Sequence, residues 1–236
     1  PEIAAALRSG SLNALDLTEE VIARHEKWDP KLGAYKTWDA DYARIQAKEA
    51  AAAFKAGKDH GPAQGIPFSV KDIYGVKGFP TFAGSPKALP EEWEQDSVVV
   101  AGVRKQLAVV PGKTHTVEFA FGGIGTNPHW PTPRNPWDMT HHRAPGGSSS
   151  GAGVSLHEGS AAIAFGTDTG GSVRVPASYT GNVGLKTTKG RWSTDGITIL
   201  STSFDTPGIL AKSMTDIAFG FAAIDPSARV AGSSLI

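Results

Sequence analysis

Two serine clusters framed by glycine carry the strongest chemical signal in this chain of 236 residues. Gly146-Gly147-Ser148-Ser149-Ser150-Gly151 and Gly170-Gly171-Ser172 lie in one block, Ala144 to Ala177, separated by Ser155 to Ser160 and the apolar run Ala161 to Phe165. Glycine admits positive φ and lets a ligand approach the main chain, so a serine presented by such a turn suits nucleophilic attack. The hydroxyl attacks only when a base takes its proton, and histidine is the usual base. Here the histidines fit poorly. His141 and His142 lie in a proline-rich loop, His157 falls on a helix predicted between the clusters, and neither these nor His115 can be given a role. The other candidate base is Lys71, at the end of the short apolar stretch Gly65-Ile66-Pro67-Phe68-Ser69-Val70. An ammonium held against apolar surface is disfavoured, so its pKa falls and a neutral amine becomes available near neutral pH. A lone lysine at a strand end is ordinarily a solvated charge, and the reading of Lys71 as a base therefore depends on its company.

The elements that would position these residues follow from pattern. Leu17, Val21, Ile22 and Trp28 share a helical face, which predicts a helix from about Leu15 to Lys27, with Asp16 and Glu19 as a capping pair and Asp29-Pro30 as a stop. A second helix is expected from about Ala40 to Ala56, after Asp39, followed by a polar linker from Lys58 to Gly65. A strand leads into Lys71, Thr81 to Gln95 reads as loop, Ser97 to Leu107 as helix, and Ala108 to Val110 as a strand whose far end Pro111 weakens. Gly122 to Gly147 is dense in Pro, Gly, Asn and Trp and reads as a long loop. The serine block reads as loop, short helix, buried strand, tight turn and helix. Beyond it come a strand near Gly184 to Lys186, an irregular Gly190 to Gly196, a strand around Ile197 to Leu200, and a helix near Ser213 to Ile224. Alternating strands and helices favour an α/β fold with a mixed β-sheet covered by helices. The expected organisation is one domain over 1–236, with N-terminal helices in 1–60 and the chemistry-bearing core in 61–225.

Composition narrows the function further. Lys plus Arg and Asp plus Glu are 23 each, so no net field points to nucleic acid or a membrane surface. With no cysteine there is no thiolate nucleophile and no Cys-ligated zinc, and no H-E-x-x-H spacing occurs. Neither a Walker-type loop nor a dinucleotide fingerprint is present. No window of about 18 apolar residues occurs and the start has no signal-peptide pattern, so a cytoplasmic protein is expected. The start at Pro1 and the Gly232-Ser233-Ser234-Leu235-Ile236 end read as those of a processed, truncated or engineered piece.

With these residues in place the chain resembles the amidase signature family. Gly146 to Gly151 is similar to that family's glycine-serine motif, and Gly166 to Pro176 to its Gly-x-Asp-x-Gly-Gly-Ser-[Ile/Val]-Arg-x-Pro motif at the matching distance. Phe68 to Asp72, Gly112-Lys113-Thr114, Glu118-Phe119-Ala120, Gly125 to Pro128, Pro133 to Pro136 and Gly184-Leu185-Lys186 resemble further shared segments. The resemblance implies the amidase signature fold and an amidohydrolase that cleaves a carboxamide to an acid and ammonia or an amine. It implies Ser172 as the nucleophile that forms an acyl-enzyme, Lys71 as the ultimate base, and Ser148 as the relay between them, joined to Gly147 by a cis peptide. It also implies an oxyanion hole made by the backbone N–H groups of Thr169, Gly170, Gly171 and Ser172. Ser149 is expected to hydrogen-bond Lys71, Asp168 and Arg174 to brace the turn as an ion pair, and Thr126 and Met139-Thr140 are candidates to line the acyl site.

The partner implied is a small-molecule amide, with no cofactor, metal, nucleic acid or membrane, and with homo-oligomerisation left open. His157, Pro111 and His115 depart from the family pattern, and the family's members are longer, so a region that completes sheet and pocket is expected to be missing after Ile224. Two alternatives stay open: the glutaminase subunit of a tRNA-dependent amidotransferase, which Gly190 to Gly196 resembles less than it does stand-alone amidases, and an inactive truncated binding module. Which amide is cleaved is not legible.

Overall fold

A computed structural model describes residues 1–225 and 227. The chain begins with helix α1 (Glu2–Ser9), whose Ala4 and Leu7 are buried. Helix α2 (Ala14–Leu32) is capped by the Asn13 side chain, which accepts from the Leu15 N–H. This helix runs through Asp29-Pro30 rather than stopping there, and ends at Gly33. Strand β1 (Tyr35–Trp38) and helix α3 (Ala40–Lys55) follow, the latter capped by Asp39 as the sequence predicts.

The sheet has six strands in the order β1-β3-β2-β4-β6-β5. Its centre is strand β2 (Phe68–Lys71), parallel on one side to β3 (Gly112–Thr114) and on the other to β4 (Ile163–Asp168). Strand β6 (Thr206–Ala211) lies antiparallel to β4, and β5 (Val183–Lys186) antiparallel to β6 at the edge. The mixed α/β architecture matches the sequence expectation. Helices α4 (Val98–Arg104), α5 (Ala152–Glu158), α6 (Arg174–Thr180) and α7 (Met214–Ile224) complete it. The main core is built on Phe68, Val70, Phe165, Ile163 and Ile209 of the central strands. Burying such side chains contributes about 1.5–3 kcal/mol each.

Three expectations are corrected. The strand predicted at Ala108 to Val110 is only a bridge between Pro67 and Val109, and the ladder with β2 forms beyond Pro111, where each residue again has an N–H to donate. Ile197 to Leu200 contributes one bridge, Tyr74 to Ile197, and the strand lies instead at Thr206–Ala211. The first 60 residues supply an edge strand, β1, besides their helices.

Candidate active site

Parallel strands β2 and β4 end side by side, and in open α/β sheets such carboxyl ends are where ligands bind. Lys71 is the last residue of β2 and is fully buried. Its Nζ donates to Ser148 Oγ at 2.7 Å and to Thr167 Oγ1 at 2.8 Å. Burial brings the Lys71 amine down to about 7, with the carboxylates of Asp205 and Asp168 pulling the other way. Lysine and serine come together across 77 residues of chain.

Ser148 opens the turn that leads into α5 and is joined to Gly147 by a cis peptide bond. Its carbonyl accepts from the Val117 and Ser150 N–H groups. Ser149, expected to bond Lys71, does not: its hydroxyl lies 3.4 Å from both the backbone O and N of Thr167, and Thr167 takes the place beside the lysine. The Ser149 N–H donates to the Ser172 carbonyl at 3.3 Å, which ties the two serine clusters.

The turn from β4 to α6 is organised by Asp168. Its carboxylate accepts from the N–H groups of Gly171 at 2.7 Å, Val173 at 3.2 Å and Arg174 at 3.3 Å, and from the Arg174 guanidinium at 2.9 and 3.0 Å. Burial alone would raise the Asp168 carboxyl, but the Arg174 side chain and these backbone donors hold it below the usual range. Gly171 has φ of 133°, a region open to glycine and rarely to other residues, and it sets the serine after it. Ser172 is 9 % exposed, at the floor of a hollow of about 270 Å³.

Among the described residues the N–H groups of Thr169, Gly170 and Ser172 have no partner within the chain, whereas that of Gly171 is taken by Asp168. Three of the four expected oxyanion donors are thus free, and the fourth holds the turn. The Thr169 hydroxyl donates to Asp205 at 2.6 Å, and Asp205 also accepts from the Leu200 and Ser201 N–H groups. A larger hollow of about 490 Å³, between Ile3 and Phe219, shares no lining residue with the one above Ser172.

Sequence reasoning did not find Thr167, Asp205 or the buried pair of Asp72 and Lys113, whose Oδ1 and Nζ are 2.9 Å apart. Thr167 had a signal, because it fills the variable position of the Gly-x-Asp motif and sits on the strand next to Lys71. Asp205 had none. Of the acyl-site candidates, Thr126 lines an adjoining hollow and Met139-Thr140 lines neither. His115 is buried and brought down to about 4 by that burial and by Lys36, so it is neutral at pH 7. His157 lies 2.6 Å from the Thr180 carbonyl, and His141 3.2 Å from Asp138 on an exposed loop. No helix among the described residues is long and apolar enough to cross a membrane.

Comparison with known proteins gives a consistent set of relatives. The family model described as Amidase matches residues 16–233. A 2-amino-5-chloromuconic acid deaminase of Comamonas testosteroni is 55% identical over 97% of this chain and 49% of its own. A glutamyl-tRNA(Gln) amidotransferase subunit from Streptomyces coelicolor is 39% identical over 92% of this chain and 43% of its own. Among solved structures, the peptide amidase from Stenotrophomonas maltophilia superposes with a TM-score of 0.87 at 33% identity, over 99% of this chain and 50% of that one. The chain spans about half the length of the curated relatives it matches.

Proposed function

The chain belongs to the Amidase family, and from that premise we propose that it carries the catalytic residues of an amidohydrolase that works through an acyl-enzyme on Ser172. The observation that carries this reading is a buried lysine, brought to about 7, bonded at 2.7 Å to a serine of the cluster that packs against Ser172. In acylation the Ser172 Oγ attacks the amide carbonyl carbon, and its proton passes by way of Ser148 to the neutral amine of Lys71. A neutral amine has two N–H groups and one lone pair. With Thr167 accepting one N–H, the second N–H and the lone pair remain for Ser148, and the proton is taken when the lone pair faces its hydroxyl.

The tetrahedral oxyanion is met by the free N–H groups of Thr169, Gly170 and Ser172, and one such donor is worth about 3 kcal/mol. The C–N bond breaks as the proton returns through Ser148 to the leaving nitrogen. Water then attacks the ester carbonyl, yielding the acid and free Ser172. The reading is tested in the full-length protein by amide hydrolysis and by fluorophosphonate labelling of Ser172. Hydrolysis that survives both Ser172→Ala and Lys71→Ala would falsify it.

The 55% identity to a deaminase favours a second reading, in which ammonia is released from an amino-substituted unsaturated acid instead of a carboxamide. Ammonia release from the two substrate classes by the full-length protein decides between them. A glutaminase role, suggested by the 39% identity to the Streptomyces coelicolor protein, requires glutamine turnover that depends on partner subunits.

A further inference from the structure

Two of the glycines that line the hollow above Ser172, Gly170 and Gly123, are required neither by a positive φ nor by close packing; Gly170 offers its N–H to the oxyanion in the reading above, which leaves Gly123. Its φ lies outside the left-handed region, so any residue could adopt its backbone. A Cβ built on it meets nothing within 4 Å, so no packing contact demands the missing side chain. By contrast, Gly171 has φ of 133°, and a Cβ on Gly122 would meet Val117 at 3.0 Å. What remains at position 123 is the empty space itself.

That space has a definite place. Gly123 lines the hollow above Ser172 and also a neighbouring hollow of about 360 Å³, and the strip Phe121-Gly122-Gly123 is common to both. The strip follows two consecutive non-glycine residues in the left-handed region, Phe119 at φ of 44° and Ala120 at 61°, and Phe121 emerges from this turn 81% exposed. The Gly123 carbonyl accepts from the Gly147 N–H at 2.8 Å, which fixes the strip against the residue preceding Ser148. The strip is therefore tied to the serine cluster, with open space beside Gly123. The neighbouring hollow is lined by Val117, Ile124 and Pro128, and its one charged side chain, Glu118, is already engaged by His129 at 3.1 Å. Nothing charged among the residues lining the Ser172 hollow would hold an ionised acyl group.

We propose that Gly123 is a specificity-determining residue: its missing side chain opens a passage from the Ser172 hollow into the neighbouring one, and this passage takes the long, uncharged acyl portion of the substrate. This rests on the reading of Ser172 as the nucleophile, which fixes the reacting carbonyl. A short acyl group leaves the passage empty, whereas a long one must cross position 123.

The test compares Gly123→Leu with the unsubstituted full-length protein. The ratio of kcat/KM for octanamide to that for acetamide is expected to fall by about tenfold or more, the usual effect of filling an apolar subsite. An unchanged ratio overturns the proposal. A second arm needs no turnover: octanamide binding is measured calorimetrically on Ser172→Ala with and without Gly123→Leu. A weaker affinity in the double variant supports the passage, while equal affinity, or no binding by either, overturns it. Absent turnover together with the expected binding contrast would overturn only the role given to Ser172.

Discussion

The Thr167 hydroxyl accepts a hydrogen bond from the Lys71 amine at 2.8 Å, so the candidate base carried by β2 is held by a side chain of the neighbouring parallel strand β4. With one N–H held, rotation about the terminal C–N bond is restrained and the remaining groups of the amine are aimed at Ser148. Replacing Thr167 by valine keeps the shape and removes the acceptor. A hydrogen bond between neutral groups contributes about 0.5–1.5 kcal/mol, and Thr167→Val is expected to lower kcat by about threefold to tenfold, with KM little changed. Steady-state kinetics on a small amide check this, and a kcat within about twofold of the parent contradicts it.

Lys71 is brought to about 7 by burial, which fixes the sign of the pH response. Below that value the amine is protonated and cannot accept a proton, so kcat/KM should fall about tenfold per pH unit, and above it the rate should level off. A pH–rate profile with a stable, uncharged amide substrate reads this directly. A flat profile from about pH 5 to 9 would remove Lys71 from the role of base.

Asp168 and Arg174 form one ion pair, yet the two partners are unequal. The Asp168 side chain is 0% exposed and also holds three backbone N–H groups, whereas that of Arg174 is 55% exposed. Asp168→Ala should therefore cost about 3 kcal/mol of stability and disorder the Ser172 turn. Arg174→Ala leaves the backbone donors satisfied and should cost less than about 1 kcal/mol. Urea unfolding of both variants distinguishes them, and equal losses would refute the asymmetry.

The buried pair of Asp72 and Lys113 lies directly beyond Lys71. Burial pushes the Asp72 carboxyl up and the Lys113 amine down, while each is opposed by its partner's charge. Lys113→Met strands a carboxylate in the core and should cost about 3–5 kcal/mol. Adding Asp72→Asn should restore a good part of the loss. Thermal unfolding of the single and double variants measures the coupling, and additive losses would show that the pair is not a unit.

Much of this arrangement was legible in the sequence because its devices are local. Gly170-Gly171-Ser172 reads as a turn from glycine alone, and Phe68 to Lys71 reads as a strand from its apolar side chains. Asp39 before Ala40 marks a helix start because a carboxylate there caps free N–H groups. Elements set by tertiary context were not legible. Thr206–Ala211 contains Pro207 and Gly208, both turn formers, yet it lies between β4 and β5, and a Cβ on Gly208 would collide with the Leu185 carbonyl. Tyr35–Trp38 is an edge strand whose Lys36 and Thr37 break any apolar run. Thr167, rather than Ser149, faces Lys71 because side chains alternate along β4, and no local pattern reports which hydroxyl lies across the sheet.

The two hydrogen bonds of Lys71 span 77 and 96 residues of chain. Contacts between residues so far apart in sequence form only after a large loss of chain entropy, and they make assembly slow compared with that of the helices. The base and its partners therefore have no existence in any partly folded intermediate that lacks the β2–β4 pairing. On the proposed reading of Ser172 as nucleophile, its reactivity would be in this sense a timer: its appearance during refolding would mark the moment at which the centre of the sheet closes.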